Sequence, residues 1–379
     1  MDGMAGQKST LTWAVHISVA LLVALWLFPT VGLLVSSFRT AEQISNSGWW
    51  SAFSAQKGQL PAIRISGEER EEGGLYVIDG NLFGSAETTL SAWGTSSREP
   101  EAYEPDTEVE LKDGWALTVE QSGDFRLTAP QSFEGERLPR VFATATTPPE
   151  FTLENYKNVL FGTTAGAGVG QAFLNTLTVS IPATVIPILV AAFAAYALAW
   201  MEFPGRALLI AAVVALLVVP LQLALIPLLQ LHNAIGIGKG YLGVWLAHTG
   251  FGLPLAIYLL RNYMVGLPKD IIENARVDGA SDFQIFTKIV LPLSFPALAS
   301  FAIFQFLWTW NDLLVALVFL GTDDDRLVLT ARLVNLMGSR GGQWEILATS
   351  AFVSIVVPLV VFFAMQKYLV RGLLAGSVK

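Results

Sequence analysis

Runs of about twenty apolar residues recur along this 379-residue chain, and nothing else in it constrains the fold so tightly. A helix crossing ~30 Å of hydrocarbon needs roughly 20 mostly apolar residues. Six stretches meet that length: Ala14–Ser36, Ala172–Met201, Ala207–Leu231, Tyr241–Leu260, Phe295–Leu320 and Ile346–Met365. The first is longer than a signal-peptide core, follows only Lys8, and lacks a clear small-residue cleavage site. It reads as a retained span, with a cleaved signal peptide as the alternative. The second is over-long and contains Pro182 and Pro187, which predicts a tilt or kink. Pro204 and Gly205 make Glu202–Arg206 a tight turn that stops one helix and starts the next.

Only 14% of the residues are charged, against about a quarter in soluble domains. Those charges are unevenly placed. From Arg39 to Gln171 there are 20 acidic and 10 basic residues, a net charge of −10, whereas the remainder carries +2. An acidic polar insert among apolar spans is thus expected, and its charge disfavours nucleic acid and anionic lipid as partners. Within it, Leu75–Ile78 alternates ahead of Asp79-Gly80, and Trp115–Glu120 and Phe125–Thr128 flank a hairpin turn at Ser122-Gly123-Asp124. Glu68, Glu69, Glu71 and Glu72 read as a solvated charge run and not as a metal site. The absence of cysteine excludes disulfides and thiolate chemistry, and the three histidines are scattered. No metal site and no catalytic constellation is expected.

Basic residues set the orientation. With the N-terminus in the cytoplasm, Lys8, Arg206, Arg261, Lys269, Arg276, Lys288, Lys367, Arg371 and Lys379 lie inside. The short outer loops then hold Lys239, Arg326, Arg332 and Arg340. Both termini are expected in the cytoplasm and the insert outside. The expected fold is an all-α polytopic membrane protein of six transmembrane helices with an inserted, β-rich extracytoplasmic domain. Its parts are residues 1–38 (tail and first span), 39–150 (insert), 151–367 (five-span core) and 368–379 (cytoplasmic tail).

Between the fourth and fifth spans lies LPKDIIENARVDGASDFQIFTKIVLPLSFP, residues 267–296. Its punctuation predicts two short helices. Asp270 is placed to cap the first, with Glu273 as its capping-box partner, and Ser281 with Gln284 to cap the second. Gly279 suits the left-handed turn between them, and Pro292 and Pro296 break the chain as it returns to the membrane. A rigid helix pair of this kind on the cytoplasmic face suits helix-in-groove docking. The alternative is an ordinary capped loop in which Glu273 merely caps.

This loop resembles the EAA signature of permease subunits in ATP-binding-cassette importers: Glu273-Asn274-Ala275, Asp278-Gly279-Ala280, Ile289 and Leu291-Pro292 follow it. Asn274 stands where the family pattern has its first alanine. The resemblance implies that the first helix docks on an ATPase subunit, with Glu273 in a salt bridge to it. Phe151–Leu160, Pro220–Leu229, Tyr241–Arg261, Trp308–Leu314 and Gln366–Lys379 are further similar to sugar-importer permeases of the maltose type. The insert resembles the enlarged first outer loop of α-glucoside permeases. The implied protein is a non-enzymatic half of a sugar pathway in the bacterial inner membrane. Its implied partners are a second related permease, two ATPase subunits and a periplasmic sugar-binding protein. The chain has no G-x-x-x-x-G-K-[ST], so ATP is to be bound by the partner subunits and no cofactor by this one.

Polar residues inside apolar runs are pathway candidates. Gln222, His248, Gln305, Asn311 and Asp312 belong here, with Gln230 and Asn233, and Trp245, Trp308 and Trp310 offer aromatic faces to a sugar. Each alone is more often a helix–helix hydrogen bond than a ligand contact, except Asn311 and Asp312, for which the two readings are even. The outer segment Gly338-Ser339-Arg340-Gly341-Gly342 is expected to be too flexible for a helix, and the resemblance implies that it reaches the binding protein. The tail with Gly372 and Gly376 is implied to thread toward the ATPase interface. Two other classes compete. A secondary transporter needs a coupling-ion site and repeat symmetry, and neither is visible. A membrane-anchored receptor working through the insert leaves the EAA loop unexplained.

Overall fold

A computed structural model describes residues 10–84, 87–162, 168–339 and 343–374. The chain divides into two units, residues 1–155 with 343–345, and residues 156–342 with 346–379.

The first unit opens with helix α1, Thr10–Ser37. Its large side chains face outward on every side, Trp26 being 79% exposed, as expected of a helix surrounded by lipid. A short helix α2, Ala41–Asn46, follows. Nine strands then build two antiparallel sheets: β1 Gln56–Gln59, β2 Ile63–Arg64, β3 Glu69–Glu72, β4 Leu75–Asn81, β5 Thr89–Gly94, β6 Glu108–Glu110, β7 Ala116–Val119, β8 Asp124–Ala129 and β9 Arg140–Thr147. One sheet centres on β9, which pairs with β1, β2 and β5; the other runs β3-β4-β8-β7-β6. Alternation along β8 sends Phe125, Leu127 and Ala129 inward, where Trp93, Leu90, Leu117 and Val141 complete a core. The expected hairpin is β7–β8, turned by Gly123 at φ +85°. Asp79-Gly80, by contrast, is no turn. Strand β4 continues through it, and a β-carbon at Gly80 would stand 2.7 Å from the Phe125 ring, so this glycine permits close packing. The glutamate run forms the exposed strand β3, with Arg126 paired to Glu72 and Arg70 to Asp79. No cluster suited to a metal occurs among the described residues.

The segments leaving and returning to α1 meet at one point. Asn155 Nδ2 donates to the carbonyls of Ser37 (3.0 Å) and Arg39 (2.8 Å), and Thr152 N–H donates to Phe38 O (2.7 Å). Arg39 is 2% exposed, and its guanidinium donates to Gln43 O, Ser47 O and Ser47 Oγ, which fixes the C-terminal end of α2.

The second unit is helical. After α3 (Glu154–Phe161) come α4 (Val169–Trp200), α5 (Arg206–Leu216), α6 (Leu221–Ala234) and α7 (Tyr241–Val265). The connecting segment has α8 (Lys269–Val277), α9 (Asp282–Ile285), a π turn at Phe286–Val290 and α10 (Leu291–Leu293). Helices α11 (Phe295–Asn311), α12 (Leu314–Phe319), α13 (Leu329–Ser339) and α14 (Trp344–Leu374) complete it. Small residues bring α4 and α7 together, with Ala191, Ala192 and Ala195 buried against Ala256 and Leu260.

Among the described residues, α1, α4, α7 and α14 are each long and apolar enough to cross a membrane, and two bent helix pairs raise the number to six at most. Two expected spans are therefore not single helices. Ala207–Leu231 breaks before Pro220, where α5 and α6 meet at 110°. Phe295–Leu320 stops at Asn311, and α11 meets the α9–α10 segment at 70°. Helix α4 passes through Pro182 and Pro187 unbroken.

Candidate functional site

The 267–296 segment is a helix–turn–helix, but its first cap is not the one the sequence suggests. Helix α8 begins after Pro268, and Asp270 sits inside the first turn without a capping bond. The α7–α8 connection is too short to leave Asp270 outside the helix, so Glu273 has no cap to complete. Its carboxylate is exposed and makes no hydrogen bond or ion pair among the described residues. The end of α8 does follow expectation. Gly279 takes φ +81°, its N–H donates to Arg276 O (3.0 Å), and Ala280 N–H donates to Ala275 O (3.0 Å), a Schellman closure. Asp278 is the exposed C-cap residue. Ser281 and Gln284 form the expected capping box on α9.

One face of this element is buried and the other is not. Ile272, Ile285 and Phe286 enter the core beneath α4, α7 and α11, with Ala275 and Leu291 packed beside them. Outward, Val277 is 85% and Phe283 66% exposed, and Glu273 is exposed as well. Apolar side chains held out on a capped, rigid pair form a surface fit for a partner. Pro292 lies exposed at the return to the membrane.

Polar bonds that sequence reading missed bolt this segment to α4. Arg276 donates to Trp200 O (3.0 Å) and to Asp282 Oδ1 (3.4 Å), and Tyr196 Oη donates to the same Asp282 oxygen (3.1 Å). Arg206 further ties off the end of α4, donating to Leu198 O, Ala199 O and Met201 O. A basic residue near a helix C-terminus was the available signal.

Among the pathway candidates, the structure unites His248, Gln305 and Asp312. His248 Nε2 lies 3.5 Å from Asp312 Oδ2, and its ring meets Trp308 edge-on at 5.3 Å. Gln305, 1% exposed, donates to Ala183 O (3.1 Å) and approaches His248 O at 3.5 Å. Gly252 makes room for it, since a β-carbon there would stand 2.8 Å from Gln305 Oε1. Asp312 Oδ2 also accepts from Val315 N–H (3.0 Å), starting α12 where the chain bends. Gln305 and Trp308 line a cavity of about 530 Å³ with Phe251, Gly252 and Phe304. Gln222 lies exposed, as does Asn311, whose amide donates back to Leu307 O (2.8 Å).

Gly338 and Ser339 end helix α13, which corrects the expectation of a helix-free segment; Arg340 and Gly341 lie outside the described residues. The preceding loop is anchored on α4: Asn175 donates to Asp325 O (2.9 Å) and Leu327 O (3.0 Å), and Leu329 N–H donates to Thr176 Oγ1 (2.8 Å). Gly372 falls within α14, which runs beyond the expected start of the tail, and Gly376 lies outside the described residues.

Residues 172–374 match the family described as binding-protein-dependent transport system inner membrane component. The chain is 64% identical over 379 residues to the alpha-glucoside transport system permease protein AglG of Rhizobium meliloti (strain 1021), covering 98% of each. It is 61% identical over 230 residues to the osmoprotective compounds uptake permease protein GgtD of Synechocystis sp., covering 61% of this chain and 76% of that one. A bacterial ABC transporter involved in the import of the acidic polysaccharide alginate is similar in structure, with a TM-score of 0.49 and 22% identity over 59% of this chain and 81% of that one. The matched span holds both the capped loop and the polar cluster, and the chain belongs to the family of binding-protein-dependent transport system inner membrane components.

Proposed function

We propose that this chain is the permease subunit of an ATP-binding-cassette importer that takes up sugars of the α-glucoside type. The observation that carries the proposal is the α8–α9 element: capped, apolar on its free face, and bolted through Arg276 and Asp282 to the end of α4. Such an element can receive a push at its surface and pass it to the membrane helices. The 64% identity to an α-glucoside permease over nearly the full chain supports the substrate class.

In this reading an ATPase subunit takes α8 into a groove, with Glu273 meeting a basic residue there. Ala275, Asp278 and Gly279 shape the docking helix, and Leu291 and Pro292 lead its motion back into the membrane. This reading has six spans, both termini in the cytoplasm and the 39–150 region outside. A second related permease completes the pathway, two ATPase copies drive it, and a periplasmic binding protein delivers the sugar. His248, Gln305 and Asp312 line this chain's half of that pathway, and the 338–341 region faces the binding protein.

Reconstitution tests this reading. The chain, co-expressed with a second permease, an ATPase and a sugar-binding protein from its own cell, should give vanadate-sensitive accumulation of a radiolabelled α-glucoside. Accumulation by the chain alone, without an ATPase, would overturn it.

A further inference from the structure

The strand-rich unit contains a cavity of about 370 Å³ that the transport reading does not use. Its volume lies within the ~300–1,000 Å³ common for small-molecule sites. One wall is α2, where Glu42, Gln43 and Asn46 all border the space. Arg39 holds that wall in place through its bonds to Gln43 O and Ser47. Phe83, Thr88 and Glu150 also line it, and a β-carbon at Gly58 on β1 would stand 3.1 Å from Asn46 Nδ2.

Much of the polar lining has hydrogen-bonding capacity to spare. Gln56 spends its amide on Ser51 O and Ser54 O, and Thr147 spends its hydroxyl on Gln56 O. The side chains of Gln43, Asn46 and Thr88 make no hydrogen bond among the described residues, although Thr88 is only 8% exposed.

The chemistry of the lining narrows the occupant. Among the described residues no Lys or Arg borders the cavity, which disfavours an anion. No group of three metal-ligating side chains occurs among the described residues, which disfavours a divalent cation. Two carboxylates, two free amides and a hydroxyl, beside the apolar surface of Phe83 and Leu60, present both donors and acceptors around a partly apolar body. We propose that this cavity is a binding site for a neutral saccharide of one or two rings, separate from the transmembrane pathway. Gln43 and Asn46 bond its hydroxyls, Glu42 and Glu150 accept from them, and Phe83 covers a ring face. Partial desolvation and the nearby Glu150 charge raise the Glu42 carboxyl above its ordinary range.

The use of glucose-based probes rests on the importer reading; the assignment to a neutral polyhydroxylated ligand rests on the lining. Isothermal titration of the full chain in lipid nanodiscs with maltose and with glucose should show saturable binding to at least one of them. Asn46→Ala and Thr88→Val should each weaken it at least tenfold. Gly58→Val, which fills the space beside Asn46 without removing a polar group, should abolish it. Absence of saturable binding overturns the site, as does equal binding by all three variants, or saturable Ca²⁺ binding in place of the sugars. These outcomes do not depend on sugar accumulation by the assembled transporter, which separately tests the importer reading.

Discussion

At Glu273 charge and helix geometry are separable, because no cap depends on this carboxylate and no partner among the described residues holds it. Glu273→Lys is expected to weaken ATPase binding and to lower binding-protein-stimulated ATP hydrolysis, since reversing one charge of a desolvated interface pair costs several kcal/mol. Glu273→Gln and Glu273→Ala should lie close together and between Lys and the native residue, because only the charge is at stake. Full stimulated hydrolysis by Glu273→Lys would show that α8 does not dock through this residue. Gly279 differs in kind. At φ +81° a proline cannot enter and the N–H bonded to Arg276 O is lost, so Gly279→Pro should abolish uptake while insertion into the membrane persists. Gly279→Ala should cost about 1–2 kcal/mol through the left-handed backbone and reduce uptake only partly. Asp124 offers a titration. Bonds from Asn81 and Ser122 hold its carboxyl below the ordinary range. Its contribution to hairpin stability is therefore complete above the ordinary carboxylate pKa and is lost as pH falls through the lowered one. Asn81→Ala should move that loss to higher pH, and carboxyl NMR of the Asp124 resonance measures it.

Between elements, the joint of α8–α9 with α4 is the part to test. Arg276→Ala removes the bond to Trp200 O and the contact with Asp282, and Asp282→Asn removes the charge shared by Arg276 and Tyr196. Each should leave ATPase binding intact but reduce uptake per ATP hydrolysed, with a coupling energy between them of about 1 kcal/mol or less for so exposed a pair. Unchanged stoichiometry in both variants would reassign the joint to stability alone. Sequence reading reached α9 and the close of α8 because Ser281, Gln284 and Gly279 act through neighbours three to five residues away. It misplaced the start of α8, since Asp270 matches a cap pattern that the short connection overrides. It could not see Arg276 reaching Trp200 or Gln305 reaching Ala183, because those partners are distant in sequence. Length and hydropathy likewise located the apolar runs but not the bend before Pro220 or the end of α11 at Asn311. A run of apolar residues reads the same whether it is straight or folded back.

For the molecule as a whole, the strand-rich region has a core of its own around Trp93, which is fully buried and donates to Glu104 O (3.1 Å). Trp93→Ala should destabilise this region by about 3–5 kcal/mol. Limited proteolysis of membranes should then cut within residues 39–150 and spare the helices; equal resistance of variant and parent would mean that Trp93 is not its keystone. The clamp at Ser37, Phe38, Arg39, Thr152 and Asn155 bears on history more than on stability. A segment whose two ends are pinned side by side can be spliced in or out of a gene without altering the register of the helices before and after it.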